Sequence, residues 1–236
     1  MRSVKVERPA EMGMTDGLSF ALFLPASAPL ATVVVVHGAG SCKESHFDFA
    51  RACRADGLAV VCFDMRGHGE SEGALDERAV SDVAAMATLA RDRTGVDAVA
   101  LRGSSMGGYL ALVAAANARA AAVVAICPAS AAGMARGLRS GRFEFRADLE
   151  GLGSVLASHD ELRAAEALGG ALLLLHAEGD EIVGVEHSRE LHVAAAGSRL
   201  VAVPGGHHRS VQHDAELQAL SIRFIRTAGT VPPVRD

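Results

Sequence analysis

The chain has 236 residues, half of them hydrophobic and 22% charged, which argues against disorder and provides for a sizeable core. Lysine and arginine number 23 against 28 acidic residues, a net charge of −5, and aromatic residues make up only 4% with no tryptophan; both facts argue against a nucleic-acid partner held by phosphate contacts or base stacking. Four cysteines with no CxxC pair give neither a disulfide framework nor a zinc knuckle, and no run of 18 apolar residues is present, so no membrane span is expected.

In chain order, the charged N-terminus (Arg2, Lys5, Glu7, Arg8) lacks the apolar run of a signal peptide, and a reducing, cytoplasmic setting is expected. Residues 4–7 and 19–24 read as an antiparallel strand pair joined through Gly13 and the Asp16-Gly17 turn. Thr32–Val36 carries four consecutive valines, an unalternating run that suits a strand buried on both faces of a parallel sheet. Residues 58–63, 98–101, 122–126, 172–175 and 200–203 repeat that signature, and helical periodicity covers about 44–56, 77–93, 106–118, 186–196 and 214–226. Strands alternating with helices predict an α/β fold whose parallel sheet is covered by helices on both faces. The rhythm breaks once: about forty residues separate the strands at 122–126 and 172–175, a length that fits a small cap insertion over 130–170 within one domain spanning 1–236. The tail from 227 to 236, with Pro232-Pro233, is expected to fray.

Chemistry concentrates at the strand ends. Gly103-Ser104-Ser105-Met106-Gly107 has the form G-x-S-x-G between a strand and a small-residue helix; such a turn exposes a serine hydroxyl, and the flanking glycines remove side chains that would collide there. His37-Gly38-Ala39-Gly40 follows the four-valine strand. An acyl-transfer site needs two backbone N–H donors for the developing oxyanion, and Ala39 and Met106 are the candidates. For His37 itself, holding the loop is the favoured role. A serine nucleophile also needs a base, and the base needs a carboxylate. The loops after the last two strands supply both, in the chain order Ser105, Asp180, His208.

With these motifs in place the chain resembles the serine-type α/β-hydrolase family over nearly all of its length. The resemblance rests on His37-Gly38, the segment from Phe63 through Asp64, Arg66, Gly67 and Gly69 to Ser71, the elbow around Ser105, Gly179-Asp180 and Gly205 through His208. It implies an α/β-hydrolase fold with a mostly parallel eight-stranded sheet, and a hydrolase acting on ester-like bonds. The small-capped esterases and dienelactone-hydrolase-like members are the nearest branch, although true dienelactone hydrolases usually carry cysteine where Ser105 stands. In the family pattern the D-x-R-G-x-G-x-S loop is structural, so Arg66 and His68 receive no catalytic role. The P-G-x-x-H pattern favours His208 as base, with His207 as the alternative. Asp180 fits the spacing of the acid, with Glu178 and Glu181 as solvated neighbours, and Val183 precedes Gly184 where the family usually has Val-Pro.

The expected substrate is a small-molecule carboxylic ester with a small or medium acyl group; a thioesterase, an acyltransferase or a peptidase on the same three residues is the alternative, and a non-enzymatic binding protein on this fold ranks lower. The remaining histidines form no HExxH and no GxGxxG follows a strand, so neither a metal nor another cofactor is expected. Within the insertion, Phe143, Phe145, Leu149, Leu152 and Leu156 are candidates for an acyl pocket or ordinary cap core. Arg136, Arg139, Arg142 and Arg146 are a solvated surface or an attractor for anionic substrates.

Overall fold

The structure, a computed structural model, describes residues 7–229 except 142 and 144. Asp16 and Gly17, both at positive φ (49° and 76°), close a two-residue hairpin between β1 (Glu11–Thr15) and β2 (Leu18–Phe23), pairing Thr15 with Leu18. The turn was legible but its first strand was misplaced. Residues 4–6 lie outside the described residues, Glu7 is in no strand, and Gly13 sits inside β1 rather than in the connection. The physical reason is that β1 is an edge strand whose Met12 and Met14 are 56% and 51% exposed, so its apolar residues do not mark a buried face.

The other strands are β3 (Thr32–Val36), β4 (Ala59–Phe63), β5 (Val99–Ser104), β6 (Ala122–Ile126), β7 (Leu172–Ala177) and β8 (Arg199–Val203). They form one eight-stranded sheet in the order β1-β2-β4-β3-β5-β6-β7-β8, in which β2 alone runs against its neighbours. Every residue of β3 to β7 is buried, which explains the unbroken apolar runs. Alternate residues of each strand feed opposite layers. Val34, Val36, Leu101 and Leu174 meet α2 (Ala79–Thr94) and α3 (Met106–Ala114), and Val33, Val35, Ala100 and Leu175 meet α1 (Phe47–Ala55) and the C-terminal helix.

Several helix limits differ from the sequence reading. The segment expected at 44–56 divides into a 3-10 turn (Lys43–His46) and α1, and α3 ends at Ala114 rather than near 118. The segment expected at 214–226 is a short α8 (Ser210–His213) followed by α9 (Ala215–Gly229), so residues 227–229 are helical where fraying was expected; 230–236 lie outside the described residues. Between β6 and β7 stand α4 (Ala131–Arg139), α5 (Leu149–Ser158) and α6 (Glu161–Leu168), their N-termini capped by Ser130, Asp148 and Asp160. Met134, Leu152, Val155, Leu156 and Ala165 join these helices to the α2/α3 layer. α7 (Val185–Ala194) links β7 to β8. Among the described residues no helix is long and apolar enough to cross a membrane.

Candidate active site

Ser105 sits between β5 and α3 at φ 54° and ψ −120°, a conformation a side-chain-bearing residue rarely adopts. Its amide donates to the Ile126 carbonyl (2.9 Å), and its own carbonyl accepts from the amides of Gly108 and Ala129 (2.9 and 3.0 Å), so the strained turn is pinned from three directions. A Cβ on Gly103 would lie 2.0 Å from the Gly107 carbonyl oxygen, and one on Gly107 would lie 2.1 Å from that of Val36. The two glycines therefore make the turn possible. Gly107→Ala is expected to destabilise the protein by about 3 kcal/mol or more, because the obstructing atoms are backbone; urea unfolding measures it. Ser105 occupies the N-cap of α3 yet its hydroxyl makes no capping bond, and among the described residues it makes no hydrogen bond at all.

The loop after β7 places Asp180 and the loop after β8 places His208. The imidazole donates from Nδ1 to Asp180 Oδ2 at 2.7 Å. Asp180 Oδ1 accepts from the amides of Ile182 and Val183 (2.8 and 2.9 Å), so the loop that carries the acid also holds it. Burial opposes ionisation of Asp180, but the Val183 amide and then His208 outweigh it and keep the carboxyl below its usual range. His207, by contrast, is exposed, and its Nδ1 accepts from the Arg209 amide at 3.3 Å. Glu178 pairs with Arg189 (3.3 Å), and Glu181 accepts from the His208 amide (3.2 Å).

His176 was not singled out from the sequence. It approaches Asp180 Oδ2 at 3.3 Å while donating from Nε2 to the Val183 carbonyl at 2.9 Å, and its Nδ1 accepts from the Ser188 hydroxyl at 2.7 Å. The spacing His-x-x-x-Asp running out of a strand was the available signal. Cys127, His176 and Asp180 form the one cluster among the described residues with metal-ligand atoms within 4.8 Å of each other. Their bonds commit them elsewhere: both His176 nitrogens are engaged, Asp180 serves His208, and burial pushes the Cys127 thiol up to about 12, away from the thiolate a metal needs.

The glycine loop after β3 is fixed from below. His37 is fully buried, donates from Nδ1 to the Gly38 carbonyl (2.8 Å) and accepts at Nε2 from the Met65 amide (3.0 Å); burial lowers its pKa to about 4, so it holds the loop as a neutral ring. Lys43, fully buried, reaches Asp64 Oδ2 at 2.8 Å and Glu70 at 2.7 Å, and its amide donates to Asp64 Oδ1 at 2.7 Å. Arg66 pairs with Asp82 and His68 donates to the Arg66 carbonyl, so the Asp64–Ser71 stretch makes structural contacts.

Gly38, Ala39, Ser105 and His208 line one cavity of about 220 Å³, together with Ser104, Arg209 and residues of α8. Ala39 makes no hydrogen bond among the described residues, and Met106, the first residue of α3, has no acceptor within its helix. None of the apolar residues suggested for an acyl pocket lines this cavity. Leu152 and Leu156 are core, Leu149 is 61% exposed, and Phe143 and Phe145 stack toward His68. Arg136, Arg139 and Arg146 are exposed and equally absent from it, and Arg142 lies outside the described residues.

Residues 31–152, just over half of the chain, match the family described as alpha/beta hydrolase fold. The chain belongs to that family. A curated relative from Cupriavidus necator, the dihydrolipoyllysine-residue acetyltransferase component of an acetoin cleaving system, is 34% identical over 80 residues, which are 34% of this chain and 21% of that protein. The chain thus matches only about a fifth of that relative's length. Among solved structures it is similar to the monoacylglycerol lipase of Paleococcus ferrophilus (20% identity, TM-score 0.71, covering 89% of this chain and 99% of that one). It is also similar to Est1E of Butyrivibrio proteoclasticus with bound ferulic acid (22%, 0.70, 92% and 97%). A third is XC6422 of Xanthomonas campestris, an a/b serine hydrolase without lid (22%, 0.69, 98% and 100%). At these identities the likeness establishes the fold.

Proposed function

We propose that this alpha/beta hydrolase is a serine esterase that cleaves carboxylic esters of small or medium acyl groups through Ser105, His208 and Asp180. The observation that carries the reading is the 2.7 Å bond from His208 Nδ1 to a buried carboxylate, on a ring that lines the same cavity as a serine on a strained, glycine-flanked turn. That bond leaves Nε2 as the proton acceptor. The Ser105 Oγ–H proton passes to Nε2 as Oγ bonds to the substrate carbonyl carbon, whose π pair moves onto oxygen and is met by the Ala39 and Met106 amides. Collapse expels the alcohol with the proton from Nε2. Water then gives its proton to Nε2 and attacks the acyl-enzyme, and return of that proton to Oγ releases the acid. The free Ser105 hydroxyl is consistent with a catalytic hydrogen bond that closes on substrate binding. We read residues 130–170 as a small cap beside this site.

A cavity of about 220 Å³ lies below the roughly 300–1,000 Å³ common for ligand pockets and favours short acyl chains. The test is labelling with a fluorophosphonate probe followed by a p-nitrophenyl ester series. One equivalent of label and a maximum in kcat/KM at short chains are expected; no labelling, or none of the esters turned over, sinks the proposal. Adding an alcohol to the assay measures how far acyl transfer competes with hydrolysis.

A further inference from the structure

The hydrolytic steps make no use of His176, although its Nε2 lies 3.3 Å from the same Asp180 oxygen that accepts from His208. The ring stands on β7, a strand paired on both sides, and neither it nor Ser188 on α7 has any exposed surface. Both groups in front of Nε2, the Val183 carbonyl at 2.9 Å and Asp180 Oδ2, are acceptors. Nε2 therefore carries the proton, and Nδ1 takes the Ser188 hydroxyl at 2.7 Å. Burial lowers the pKa of His176, which keeps the ring neutral. Its N–H bond goes to Val183, with the carboxylate beside it. Val183 is thus held at both its polar groups: its amide donates to Asp180 Oδ1 at 2.9 Å, and its carbonyl accepts from His176. One oxygen of the acid is fixed by a residue that the ring fixes in turn, and the other is left facing His208. The loop gains from such a brace. Residues 181–184 form neither helix nor strand, and Ile182 is 68% exposed. At the far end, a Cβ on Gly184 would meet nothing within 4 Å, and among the described residues the Gly184 amide makes no hydrogen bond.

We propose that His176 is a positioning residue for the reaction: braced by Ser188, it pins the Val183 end of the acid loop and so keeps Asp180 Oδ2 aimed at the His208 ring. The inference rests on the reading of Asp180 and His208 as acid and base. His176 does not line the cavity, so it binds no substrate and moves no proton; its effect passes through the carboxylate. A carboxylate that swings out of line leaves the His208 ring without its partner as charge develops in the transition state. That loss falls on kcat rather than on KM.

Steady-state kinetics of His176→Leu and His176→Gln on a short-chain p-nitrophenyl ester, per mole of folded protein, test this. Leucine fills a similar volume without a donor; kcat is expected to fall about 10- to 100-fold with KM within about threefold. Glutamine, whose amide nitrogen takes the place of Nε2, is expected to hold kcat within about fivefold of wild type. Gly184→Pro offers a second route to the same end. The backbone there has φ −62°, the value proline imposes, so the substitution stiffens the loop where His176 pins it. Alone it is expected to leave kcat within about twofold, and in the His176→Leu background to recover kcat at least about fivefold. Where His176→Leu does not fold, Ser188→Ala removes the ring's brace without touching Asp180, and kcat is expected to fall several-fold at unchanged KM. Wild-type kcat in folded His176→Leu, or in Ser188→Ala where it stands in, overturns the positioning role; with Asp180→Asn strongly impaired, the acid assignment stands. A rise in KM alone, or a loss that neither glutamine nor Gly184→Pro restores, also overturns it. Full activity in Asp180→Asn overturns the acid assignment and the inference together.

Discussion

Ser105→Ala is expected to lower kcat/KM toward short-chain esters by about 10⁵-fold, some 7 kcal/mol of transition-state stabilisation, and to abolish fluorophosphonate labelling. On the proposed mechanism alanine removes the atom that bonds to the substrate, and no neighbouring group replaces it. The adjacent Ser104 hydroxyl is buried, and the thiols of Cys53, Cys62 and Cys127 are buried and held protonated by burial. The Cys42 thiol, which lines the cavity, lies 3.6 Å from the Ser45 hydroxyl and bonds no imidazole among the described residues. On the same mechanism, residual activity reflects what the Ala39 and Met106 amides and substrate binding supply without a nucleophile. The fold is expected to be unaffected, within about 0.5 kcal/mol, since the hydroxyl caps no helix and alanine meets the same positive φ. Steady-state kinetics with matched urea-unfolding curves check both halves. A variant that keeps more than about a tenth of wild-type turnover would remove Ser105 from the mechanism.

Asp64→Ala is expected to cost about 3–5 kcal/mol, much of the stability of a domain this size. Asp64 and Lys43 both have fully buried side chains, and Asp64 also accepts from the amides of Lys43 and Glu70 (2.7 and 3.0 Å). Removing the carboxylate strands the Lys43 ammonium in the interior with Glu44 and Glu70, both largely exposed, as its remaining partners. Because Lys43 follows directly on the glycine loop, the same variant disorders the Ala39 wall of the site and loses activity. Asp64→Asn, which preserves the shape and an acceptor oxygen, costs less. Burial works against the Asp64 charge, but the bonds from Lys43 and Glu70 prevail and lower its pKa from 3.8. The folded protein therefore holds this carboxylate ionised when the unfolded chain has begun to protonate it. Its contribution is present above pH 3.8 and is lost progressively as the pH falls below that value. Acid unfolding of wild type against Asp64→Asn measures this: the variant lacks that part of the acid dependence.

The sequence by itself determined the elements buried on both faces and the turn around Ser105. Thr32–Val36 and its fellow strands could be read because two-sided burial leaves no polar alternation, and Gly103, Ser105 and Gly107 could be read because the steric demand of a tight turn acts within five residues. β1 could not, since an edge strand with outward methionines carries no core pattern. Only the tertiary structure decided which neighbouring groups meet. His208 rather than His207 faces Asp180, His176 stands on the same carboxylate, and Arg102 on β5 reaches the Gln212 carbonyl of α8. The physical reason is that these relations join residues from separate loops and helices: the packing of β5, β7 and α8 sets them, and neighbours along the chain do not encode it.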